Sequence, residues 1–128
     1  MPPDPGSEAA KATLAGVDTN TNGIRDDLER LAARTATTEE NFNATISLIK
    51  TLQRTIDPST NSENVAEVAQ SVFCAMKKRS ASTADKDLSE EVLRLLVFNT
   101  VERKKAYRAY IRSYGVRITF EGEETCEQ

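Results

Sequence analysis

Apolar residues recur at helical spacing along most of this chain. Leu28, Leu31 and Ala32 predict a first helix over about 26–34. Phe42, Ile46, Ile49, Leu52 and Ile56 form an i, i+4, i+7 stripe on a second helix, which a T-x-x-E capping box over 37–40 opens and Asp57-Pro58 ends. A second box over 60–63 opens a third helix carrying Val65, Val68, Ala69, Val72, Phe73 and Met76, with Lys77, Lys78 and Arg79 at its C-terminus, where positive charge suits the helix dipole. After a polar stretch over 80–86, a fourth helix is predicted from near Asp87 to about Tyr114. Its first half, 92–98, is apolar nearly all round and reads as the central helix; its second half is amphipathic through Val101, Tyr107, Tyr110, Ile111 and Tyr114. Gly115 is a C-cap, and Val116, Ile118 and Phe120 alternate as a short strand or an extended tail packed on the helices. The expected fold is all-α: about four helices and a short extended C-terminal segment.

Composition sharpens this only at a few points. The 128 residues fit one domain with a single modest core, and the net charge of −3 implies no particular partner. The chain has no His, which removes the commonest general base and the commonest zinc ligand. No apolar run approaches membrane-spanning length. Residues 1–17, with Pro2, Pro3 and Pro5, read as a tether from which a targeting segment has been removed, with Thr13, Leu14 and Val17 able to dock on the body; residues 18–128 are the domain.

Between tether and first helix lies the most specific chemistry. Residues 18–29 fit the calcium-loop pattern D-x-[DN]-x-[DN]-G-x5-E at every specified position. Asp18, Asn20 and Asn22 supply side-chain oxygens at alternate positions, Gly23 provides the sharp turn, Ile24 offers its carbonyl, Asp26 sits at the ninth position, and Glu29 offers a bidentate carboxylate at the twelfth. Hard oxygen donors in this number suit Ca2+. The competing reading is a polar Asx-rich turn that caps the next helix, but such a turn does not require a Glu six residues after the Gly. Arg25 occupies the eighth loop position, where a paired regulatory loop has an apolar residue, and no second loop of this pattern occurs. A lone loop of three carboxylates and two neutral Asn suits abundant calcium and a structural ion, not an opening switch.

Cys74 and Cys126 are too far apart for a Cys-x-x-Cys motif. Either they form a disulfide that ties the polar tail to the helices, or Cys74 is buried and Cys126 free; an even count beside a loop suited to high calcium favours the bridge and an extracytoplasmic setting. Arg103, Lys104, Lys105, Arg108 and Arg112 make a basic face on the last helix; of these Lys104, Arg108 and Arg112 are the candidate contacts for an anionic surface, against the alternative of a solvated face paired with residues such as Glu102. Tyr107, Tyr110 and Tyr114 read as core edge. The pairs Glu39–Glu40 and Glu90–Glu91 sit at helix starts, where capping and the dipole account for them. Asn43-Ala44-Thr45 is a glycosylation sequon in mid-helix. Neither a Gly-rich phosphate loop nor a nucleophile elbow is present, so no catalytic residue is assigned.

The opening stretch, from the Pro-rich start through Gly16-Val17-Asp18-Thr19-Asn20-Thr21-Asn22-Gly23-Ile24-Arg25-Asp26-Asp27-Leu28-Glu29, resembles small bacterial extracytoplasmic and lipoprotein-like proteins with a "GxDxNxNGxRDDxE" segment. The loop itself is similar to thrombospondin type-3 and EF-hand-like calcium loops. A central Cys, the segment from Asn99 to Arg103 and a terminal Cys also look like that group. The resemblance implies export to the periplasm or beyond and calcium binding, with no settled activity. The expectation is therefore a non-enzymatic exported calcium-binding module that holds a protein partner, in the manner of an inhibitor or immunity protein. It binds no nucleic acid and meets a membrane only through its N-terminal tether. The alternative is an adaptor that binds anionic lipid or cell-wall polymer through the basic helix face.

Overall fold

A computed structural model describes residues 16–19, 21–58, 60, 64–82 and 88–114, with isolated positions 6, 8, 11 and 13. Among these residues the chain is all-helical, with five helices and no strand. They are α1 (Asp26–Thr35), α2 (Glu39–Thr55), α3 (Val65–Ser82), α4 (Glu90–Val97) and α5 (Val101–Tyr114). Gly115, the alternating Val116, Ile118 and Phe120, and Cys126 lie outside the described residues, so the extended tail and the tail end of the expected disulfide are not placed.

The central helix is α2, which packs against α1, α3, α4 and α5. Leu48, Ile49 and Leu52 are completely buried, and they meet Ile24, Leu28 and Ala32 from the loop and α1, Val72 and Ala75 from α3, and Leu93, Val97 and Phe98 from α4. Phe42 and Ile46 pack on the edge of this core. A smaller cluster joins α3 to α5 through Val65, Val68, Ala69 and Tyr110, with Tyr107 bridging the two.

Several expectations are corrected here. The single fourth helix is two. Phe98 leaves helical geometry at φ −106°, ψ 62°, and Thr100 starts a new helix by accepting the Arg103 N–H on its hydroxyl oxygen at 3.1 Å and the Lys104 N–H on its carbonyl at 2.9 Å. The ring of Phe98 stacks on Tyr107 of α5 with centroids 4.1 Å apart. The 92–98 stretch is also not central: Val92 and Leu95 are 41% and 61% exposed, while Leu93, Val97 and Phe98 are buried in the core and Leu96 packs against it.

The capping boxes shift as well. Thr38, not Thr37, caps α2 by accepting the Asn41 N–H at 3.0 Å. The Thr60 hydroxyl donates backwards to the Arg54 carbonyl at the end of α2, and α3 begins only at Val65. Arg79, in the last turn of α3 as expected, is buried. It is 3% exposed; its Nε donates to the Thr45 hydroxyl at 2.8 Å and its Nη2 donates to the Leu88 carbonyl, tying α3 to α2 and to the approach of α4. Thr45 in turn donates to Asn41 Oδ1 at 3.4 Å, which places two buried polar side chains of α2 in the same network.

Candidate calcium loop and the buried arginines behind it

The loop is built as a closed turn. Asp18 accepts the N–H groups of Asn22 (3.3 Å) and Gly23 (2.9 Å) on its two carboxylate oxygens. Gly23 lies at φ +84°, the left-handed region that glycine enters without a Cβ clash. Thr21 also lies at positive φ, +49°, a costly setting for a β-branched residue and a mark of a loop whose conformation is imposed by its surroundings. The side chain of Asn22 folds across the turn: its Oδ1 accepts the Ile24 N–H at 3.0 Å and its Nδ2 donates to Glu29 Oε1 at 2.7 Å. Three of the expected ligands, Asp18, Asn22 and Glu29, are thus drawn to one turn.

The others are placed differently. Asn20 lies outside the described residues. Ile24 anchors the loop by burying its side chain in the core, 2% exposed. Asp26 is completely buried, and both its oxygens are taken by Thr19: the backbone N–H at 3.2 and 3.1 Å and the hydroxyl at 2.9 Å. Its own N–H donates to the Val17 carbonyl at 2.7 Å. Asp26, at the ninth loop position, therefore ties the end of the loop back to Val17 and Thr19. With Asp26 held by Thr19 and Asp27 by Arg25, no group of three His, Cys, Asp or Glu side chains gathers among the described residues. Asp18, Asn22 and Glu29 thus meet in one turn, while the third carboxylate of the loop pattern, Asp26, is bonded to Thr19.

Arg25 and Arg103 were not legible as structural residues. Arg25 is 1% exposed. Its Nε and Nη2 meet the two oxygens of Asp27 at 3.1 and 2.9 Å, a bidentate pair. Its Nη1 donates to the Val97 carbonyl at 2.6 Å and its Nη2 to the Leu96 carbonyl at 3.3 Å. Because α4 stops at Val97, these last-turn carbonyls have no intrahelical partner, and a cation suits that end of the helix. The backbone of the loop is fixed to α2 by Gln53, whose Oε1 accepts the Arg25 N–H at 3.1 Å and whose Nε2 donates to the Gly23 carbonyl at 3.3 Å.

Arg103, expected on the basic face, is completely buried. It donates to Asn99 Oδ1 at 2.6 Å and to the Thr13 carbonyl at 2.9 Å, so the segment before the loop docks through a backbone oxygen. Burial pulls its guanidinium below the ordinary arginine value; nearby Arg25 adds to the effect and Asp27 opposes it. Gly16 lets the chain pass between the two arginines. It sits at φ +71°, and a Cβ there would lie 2.8 Å from Arg25 Cγ and 3.1 Å from Arg103 Nη2. The alternating Asp, Asn and Gly of the loop were visible in sequence; the two arginines carried no periodic signal.

On α5, Lys104, Arg108 and Arg112 are exposed, as expected of a basic face. Tyr110 is buried and Tyr107 half-buried, which places both at the core edge; the side chain of Tyr114 is outside the described set. Cys74 is partly buried in mid-α3, with the Gln70 amide donating to its sulfur at 3.5 Å, and no cysteine among the described residues is a free thiol. Among the described residues no helix is long and apolar enough to cross a membrane. In comparisons with known proteins, the chain matches no family model, no curated protein and no solved structure.

Proposed function

We propose that this chain is a non-enzymatic, exported module that is stabilised by one calcium ion and holds a protein partner, as an inhibitor or immunity protein does. The observation that carries the calcium reading is the closed turn in which Asp18, Asn22 and Glu29 converge around the positive-φ Gly23. Asn20 and the Ile24 carbonyl complete the proposed ligand set, and Asp26 either joins it by releasing Thr19 or stays behind the loop. The ion neutralises Asp18 and Glu29 and so secures the loop on α1 and α2; its role is structural. The non-enzymatic reading rests on the sequence, which has no His, no Gly-rich phosphate loop and no nucleophile elbow.

Export is supported by the resemblance and by the cysteines. Cys74 is not a free thiol and the chain has one other cysteine, so the proposed pairing is Cys74 with Cys126. Calorimetry with calcium should give one site, and Glu29→Ala should abolish it; absence of heat for the unaltered protein at millimolar calcium overturns the reading. Because binding favours the folded state, calcium should also raise the melting temperature.

A second reading has its own observation. Lys104, Arg108 and Arg112 are exposed on one helix, which suits an adaptor for anionic lipid or cell-wall polymer. Binding that falls steeply with ionic strength would favour this reading; a packed protein interface is far less sensitive to salt.

A further inference from the structure

The exposed large hydrophobics among the described residues, Val92, Leu95, Val101 and Ile111, all belong to α4 and α5. Of these, Leu95 lines a concavity. The concavity, of about 340 Å³, lies beside the break at 98–100 and is lined by residues of α4 and α5. Its apolar surface comes from Leu95, 61% exposed, with Phe98 and Tyr107, whose rings stack beneath it. Its rim is basic: Arg94, Lys104 and Arg108, with Glu91 the one acidic residue lining it. Lys104 and Arg108 have no ion-pair partner among the described residues, and Arg94 is held only loosely, 3.7 Å from Glu90. A larger concavity, about 660 Å³ along α2, is lined by Lys50 and Arg54 but presents no exposed large hydrophobic that could anchor a ligand.

Resting on the reading of the chain as a partner-binding module, we propose that the α4–α5 concavity is the docking site and that it takes an acidic segment of the partner. One large apolar side chain of that segment inserts against Leu95, Phe98 and Tyr107, and flanking carboxylates pair with Lys104 and Arg108. Charge complementarity selects the acidic partner. A concave pocket of about 340 Å³ accepts an inserted side chain better than a flat headgroup layer. Arg112 lies one turn beyond the pocket residues on α5 and contributes charge at its edge.

The test is selection of a displayed random-peptide library on the full chain with calcium present. Leu95→Asp and the double variant Lys104→Glu/Arg108→Glu serve as counter-targets. These side chains are exposed, and an unchanged helical spectrum confirms that each variant folds. Enriched peptides should be acidic with one aromatic or large aliphatic anchor, and each variant should weaken them by about tenfold or more. Absence of enrichment, enrichment of basic peptides, or peptides that ignore Leu95→Asp overturn the proposal. So does binding to phosphatidylglycerol-containing vesicles that the same variants weaken while no peptide does, which would make the surface a lipid site. Calcium calorimetry on the same samples separates the two readings. One calcium site without groove peptides removes the groove alone, whereas groove peptides without calcium binding remove the calcium module.

Discussion

At its C-terminal end α4 is capped by Arg25, at its N-terminal approach by Arg79, and the two buried guanidiniums work against different backgrounds. Arg25 meets the carbonyls of Leu96 and Val97, where the helix dipole is negative, and has Asp27 as a bidentate counter-ion. Arg79 meets the carbonyl of Leu88, one residue before the cap Ser89, where the dipole is positive; Glu90 and Glu91 in the first turn offset it. Arg25 sits in the calcium-loop sequence itself, whereas Arg79 reports to α2 through Thr45. An eight-residue helix too short to be stable alone is thus held at both ends by side chains from elsewhere, and only one end is wired to the loop.

The largest expected effect is at the loop-linked end. Arg25→Met leaves Asp27 without its partner and the Val97 carbonyl buried without a donor. It should lower stability by about 3 kcal/mol in urea unfolding, below the upper end for broken buried pairs because Asp27 is 25% exposed. It should also weaken calcium binding, since Arg25 and Asp27 lie within the loop's last five residues. Calorimetry on the folded variant decides that point, and an unchanged calcium affinity would break the proposed connection between loop and α4. Arg79→Met comes next, at about 2 kcal/mol, the cost of stranding the Leu88 carbonyl and the Thr45 hydroxyl. Its calcium affinity should stay at the unaltered value. If both variants lose calcium equally, the two ends of α4 are equivalent and the loop responds only to global stability.

The same contrast explains what could be read from the sequence. The stripes of α1 and α2 and the loop pattern were legible because a helical face and an oxygen-ligand loop repeat residue types at fixed spacing. The break between α4 and α5 was not, because 87–114 is helix-compatible throughout. Asn99 and Thr100 interrupt it by local side-chain bonds, Asn99 to Arg103 and Thr100 to the backbone of α5, and such bonds compete with the helix without disturbing its apolar period. The burial of Arg25, Arg79 and Arg103 was not legible because it depends on partners far away in sequence: Val97, Thr45 and Thr13 lie 72, 34 and 90 residues from them. The bonds from Thr19 to both oxygens of Asp26 carried no sequence mark.

The smallest effect reads the C-terminal end of α4 through pH. Tyr107 stacks on Phe98 there, and burial holds its phenol above its ordinary value of 10.0; Arg94 pulls it down and Glu90 pushes it up by lesser amounts. Below that ordinary value the phenol is protonated in both folded and unfolded chains, so it adds no pH dependence. Between the ordinary and the raised value the unfolded chain has released a proton that the folded chain keeps, and stability must fall as pH rises. Denaturant unfolding should therefore show this contribution flat up to about pH 10 and declining above it, and Tyr107→Phe should remove that part of the decline. Arg25→Met, by loosening the end of α4 on which Phe98 sits, should return the Tyr107 titration, followed by ultraviolet absorbance, toward its ordinary value. Arg79→Met should leave it raised, and equal shifts in both variants would mean that Tyr107 senses the whole core and not one end of α4.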